Sequence, residues 1–76
     1  MSKLSDLRKE LSITQDGLVH SAGEPPIVTL STYRNAEQGK SVSYTTAKNI
    51  LALLNIVRGE FGRDPLKLED LELDIV

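Results

Sequence analysis

Apolar residues recur at three- and four-residue intervals along most of this chain, and the intervals break at glycine, proline and small hydroxyl residues. Leu4, Leu7 and Leu11 share one face of a first predicted helix over residues 3–11, with Ser2 or Ser5 placed to cap it. Ser12 and Ile13 interrupt the rhythm. Thr14 then caps a second helix over residues 15–22, which turns Leu18, Val19 and Ala22 inward and stops at Gly23. Gly17 in its middle costs roughly 1 kcal/mol against alanine, and close packing against a neighbouring helix is the expected reason for it. The consecutive Pro25 and Pro26 lack backbone donors and push the residue before them into extended conformation, so residues 24–27 read as a rigid connector.

A third helix follows, with Thr29 as its side-chain cap, residues 30–38 as its body and Gly39 as a left-handed stop. Its inward stripe is narrow, Tyr33 and Ala36 with Thr32 beside them. Leu30, Ser31, Arg34, Asn35 and Gln38 fall mostly on the outer surface. This helix exposes more than it buries. After Ser41 and Val42, the latter predicted to tuck under the core, Ser43 caps a long helix through Tyr44, Ala47, Ile50, Leu51 and Leu54, the strongest 3.6-residue pattern in the chain. It ends either near Asn55 or, continuing through Val57, near Phe61. The predicted fold is therefore all-α, a bundle of five short helices or of four with an extended last one. In the remainder two patterns compete: residues 68–71 suit a helical turn, whereas Leu71, Leu73 and Ile75 alternate with acids as in a half-buried strand. The expected organisation is a helical domain over residues 1–62 and a leucine-bearing acidic tail over 63–76, whose apolar edge is expected to dock on a second subunit.

Seventy-six residues lie near the lower size at which one apolar core holds a chain together unaided. With no cysteine and a single histidine, His20, neither disulfides nor a cluster of soft ligands supplements it, and no metal or cofactor is expected. Without a signal-like amino terminus or an apolar run of membrane-spanning length, a soluble cytoplasmic protein is expected. The net charge is −2, which weighs against a strongly cationic nucleic-acid binder, but it is unevenly spread. Residues 1–58 hold seven Lys and Arg against five Asp and Glu, a balance of +2, and residues 59–76 hold two against six, a balance of −4. The expectation is that the acidic tail turns away from any phosphate backbone that the body faces. No nucleophile–histidine spacing or glycine-rich phosphate loop is present, so a non-enzyme is expected.

Residues 4–54 resemble the helix-turn-helix domain of Xre-like transcriptional regulators, the family of phage repressors and Cro. The resemblance rests on Leu7-Arg8-Lys9-Glu10-Leu11, Ile13-Thr14-Gln15-Asp16-Gly17-Leu18, Ala22-Gly23 and residues 28–40 with their Glu37-Gln38-Gly39-Lys40 ending, followed by the capped helix with Ala47, Ile50, Leu51 and Leu54. It implies a lambda-repressor-like domain that binds duplex DNA as a homodimer, with the third helix in the major groove. Leu30, Ser31, Arg34 and Asn35 would face base edges, and Gln15, Thr29, Thr32, Gln38 and Lys40 would lie along phosphates. Two departures stand out: residues 24–27 lengthen the turn before the third helix, and Leu30 replaces the family's usual polar or basic reader, leaving only a thymine methyl or a sugar to touch. Of the other polar residues, Glu37 is expected to be structural, pairing with a nearby Arg or Lys or capping backbone donors. Tyr33 is expected in the core and His20 on the surface, and Tyr44 is open between packing and phosphate contact. The alternative function is a protein-binding adaptor or antitoxin that grips a partner through the helical domain or the tail.

Overall fold

The computed structural model describes residues 2–76 and contains four α-helices: α1 (Lys3–Glu10), α2 (Gln15–Ser21), α3 (Leu30–Glu37) and α4 (Tyr44–Glu60). A single 3-10 turn, Leu68–Leu71, lies in the tail. Each α-helix begins at a hydroxyl residue whose side chain accepts a first-turn N–H: Ser2 from Ser5, Thr14 from Gly17, Thr29 from Thr32 and Ser43 from Thr46. The sequence places the last three caps on the residues observed, and of the two serines it offers for α1 the cap is Ser2. A Cβ at Gly17 would stand 3.0 Å from the Thr14 hydroxyl and 3.2 Å from Ile13 Cγ1, so the close approach is to the helix's own cap and not to a neighbouring helix.

Two helices end in the same way. At α3, Gly39 takes φ +86 and the N–H groups of Gly39 and Lys40 donate to the carbonyls of Ala36 and Asn35; at α4, Gly62 takes φ +73 and the N–H groups of Gly62 and Arg63 donate to Gly59 and Arg58. These are Schellman closures, which satisfy carbonyls that the helix itself leaves unpaired. The fourth helix thus runs past Asn55, because Val57 and Arg58 are buried as a further turn of its inner face.

Leu4, Leu7 and Leu11 of the first segment, Leu18 and Val19 of α2, Tyr33 and Ala36 of α3, and Ala47, Ile50, Leu53, Leu54 and Val57 of α4 make one apolar core. Val28 and Val42, just outside the helices, close it above and below α3, and Leu71 of the tail is buried in the same cluster. No helix among the described residues is long and apolar enough to cross a membrane.

The tail resolves its two competing patterns by using both in succession. The turn at Leu68–Leu71 drives Leu71 into the core, Glu72 reverses the chain at φ +51, and residues 73–76 run extended until Ile75 forms an isolated parallel bridge with Val42. The Val42 N–H donates to the Asp74 carbonyl at 2.8 Å, and the Val76 N–H donates to the Val42 carbonyl at 2.9 Å. Upstream, the Asn55 side chain grips both backbone groups of Leu66, donating to its carbonyl at 3.1 Å and accepting from its N–H at 2.8 Å. The buried Arg58 donates from Nε to the Asp64 carbonyl. Of the apolar edge expected to dock on a second subunit, Leu71 is buried and Leu66, Leu68 and Leu73 pack partly buried on the core, while Ile75 and Val76 stay exposed. The step at residue 62 is a change of composition and not a break in packing.

Candidate nucleic-acid interface

The third helix is held from behind by Tyr33 and Ala36, both buried, so its opposite side is fixed in direction. Ser31, Arg34, Asn35 and Gln38 are exposed, at spacings of three and four that set them in one row along the helix. Thr29 is exposed and occupied as the cap, donating its hydroxyl to that of Thr32, itself half-buried. Lys40 is exposed just past the Gly39 stop. Leu30 does not stand fully on the outer surface as expected: it is half-buried and packs on the core, since at the first position of the helix its apolar side chain gains more from that contact than from water.

Behind the row lies a polar network that joins three helices. Arg8 of α1 donates from Nε to Glu37 Oε2 at 2.7 Å and from Nη2 to Oε1 at 3.3 Å, while its Nη1 donates to the Ile13 carbonyl at 2.9 Å. Gln15, the first residue of α2, donates from Nε2 to Glu37 Oε1 at 3.0 Å and accepts at Oε1 from Arg34 Nε at 3.1 Å. The Arg8 and Glu37 side chains are only 14% and 6% exposed, which makes the pair an interior brace. Burial pushes the Glu37 carboxyl up, but hydrogen bonding to Arg8, the nearby Tyr33 hydroxyl and Gln15 outweigh it and hold the group below its ordinary value. The same hydrogen bond to Glu37 raises the Arg8 guanidinium. The Tyr33 hydroxyl is buried beside the pair, and burial, then its interaction with the Glu37 carboxylate, keeps it protonated. The expected structural role of Glu37 thus has Arg8 as its partner, and Gln15 is engaged at both ends of its amide where a free phosphate ligand was expected.

Tyr44 is exposed with the Lys48 ammonium 5.6 Å from its ring centroid, and His20 is exposed and bonded to the Asp16 carbonyl at 2.9 Å. Among the described residues no group of His, Cys, Asp and Glu has a metal-binding arrangement. The acidic tail, expected to turn away, brings one acid to the loop that follows α3. The Ser41 hydroxyl donates to the Asp74 carboxylate, one residue from Lys40. Sequence reasoning did not identify that contact, nor Asn55 as the tail's anchor, because both join residues whose proximity follows only from the packed fold.

The fold and this surface define a small all-α domain that presents a polar, capped helix on an ionic brace. Compared with protein-family models, curated proteins and solved structures, the chain matches none.

Proposed function

We propose that this chain is a sequence-specific duplex DNA-binding regulator, a repressor, that lays α3 in the major groove. The observation that carries the reading is the exposed row of Ser31, Arg34, Asn35 and Gln38 on a helix whose back is fixed by buried Tyr33 and Ala36. Arginine can fork onto guanine O6 and N7 and asparagine onto adenine N6 and N7, so a helix bearing both side by side has the chemistry to read base edges. Thr29, Thr32, Gln38 and Lys40 flank that row where phosphates would pass. Two copies acting as a symmetric dimer would read half-sites about one turn, roughly 10 bp, apart. With only a modest positive excess in residues 1–58, affinity depends on direct contacts and on dimerisation more than on bulk charge.

The test is fluorescence anisotropy of labelled random duplex with the intact protein at low and moderate salt. Binding that weakens with salt is expected, with Lys40→Ala lowering affinity for all sequences alike and reducing the salt slope by about 1. Absence of binding at both salts would remove the reading. It would favour a protein-binding adaptor or antitoxin, to which one observation lends support: a hollow of about 410 Å³ lined by Leu68, Glu69, Glu72, Leu73 and Ile75, apolar with an acidic rim.

A further inference from the structure

We propose that Gln15 is a positioning residue that sets base preference by fixing how Arg34 is presented, an inference that rests on the DNA-binding reading and gives its helix contact a mechanism. Gln15 sits at the start of α2, nineteen residues from Arg34, yet its carbonyl oxygen accepts from Arg34 Nε at 3.1 Å while its amide nitrogen donates to Glu37 Oε1 at 3.0 Å. The amide can face only one way. Turned over, it would point a donor at the guanidinium and an acceptor at the carboxylate, so the charges on its two sides orient it. Glu37 in turn cannot shift, because Arg8 holds both of its oxygens and is itself tied to the Ile13 carbonyl. A chain of hydrogen bonds therefore runs from α1 through the carboxylate and the amide to the exposed Arg34.

The atom by which Arg34 is held matters for what it can do. With Nε occupied, the two terminal nitrogens are left as an end-on fork, the arrangement that donates in parallel to the O6 and N7 acceptors of guanine. An arginine on an exposed helix face otherwise spreads over many rotamers, and ordering it on binding costs conformational entropy. Gln15 meets part of that cost before the partner arrives. One N–H of the amide and one lone pair of its oxygen serve the network, and the second N–H stays available to a passing phosphate.

The experiment measures preference at each base position by selection from a randomised duplex pool, for the wild type, Arg34→Ala, Gln15→Met, and Gln15→Met combined with Arg34→Ala. Gln15→Met keeps the length of a half-buried side chain and removes only its polar end, and Gln15→Ala repeats the comparison without its bulk. Circular dichroism confirms that each variant is folded. Arg34→Ala is expected to lower preference about tenfold at one base pair, and either Gln15 variant to lower it at that same base pair, with no further loss there in the double variant. Uniform weakening of all sequences by the Gln15 variants, or a Gln15 effect that persists at full size once Arg34 is gone, would overturn the inference while leaving DNA binding intact. A wild type that binds duplex with no preference, or an Arg34→Ala variant with unchanged preference, would remove the premise that Arg34 reads a base, and the inference with it.

Discussion

Glu37 shows how much one residue can decide. Its neighbours in sequence, Ala36 and Gln38, give no sign of a partner, and the carboxylate is satisfied instead by Arg8, twenty-nine positions away, and by Gln15. The sequence left Glu37 open between pairing with a nearby Arg or Lys and capping backbone donors, and only the packing of α1 on α3 selects Arg8. Removing one member of a buried pair strands the other, so Glu37→Ala is expected to cost about 3 kcal/mol of stability in urea unfolding. The pH dependence has a definite sign. A carboxyl whose folded pKa lies below its unfolded value of 4.5 contributes its full stabilisation above that value and loses it as pH falls through the folded one. Wild-type stability should therefore fall as pH drops below about 4.5, and the Glu37→Gln variant should lack that part of the fall in unfolding curves recorded across the window.

At the scale of elements, helix starts and the α3 stop were legible because the chemistry is local: a hydroxyl at the cap and a glycine after the last turn act within four residues of themselves. Thr29→Ala removes the side-chain acceptor for the Thr32 N–H and is expected to cost about 1 kcal/mol, read as faster amide exchange in the first turn of α3. Gly39→Ala forces a side chain into φ +86 and is expected to cost about 1–2 kcal/mol in the same assay. The end of α4 was less legible, since Gly59 and Gly62 both offer a stop and burial of Val57 and Arg58 decides between them. The tail was least legible of all. Its leucines fit a turn and a strand equally, and only the Asn55 clamp on Leu66 and the Val42 bridge to Ile75 determine where each begins.

For the whole molecule, the tail changes both stability and charge. Leu71 is buried to the degree of the helical core, so Leu71→Ala is expected to cost roughly 3 kcal/mol and to lower the unfolding midpoint of the entire protein in one transition. A separate domain ending at residue 62 would be indifferent to that change. The molecule measures only 31 × 24 × 20 Å, while charges are screened over about 8 Å at physiological salt, so tail acids are felt only by the surface they reach. Asp74 reaches the loop beside Lys40, and Asp74→Ala is therefore expected to tighten duplex binding several-fold at low salt, less so at high salt, in the anisotropy assay.

We propose that the exposed side of α3 is the surface that meets duplex DNA. The most direct measurement is a titration of 15N-labelled protein with a duplex, following every backbone amide. Shifts should concentrate on residues 29–40 and on Gln15, whereas shifts gathered on the hollow between Leu68 and Ile75, or none at all at low salt, would contradict the account.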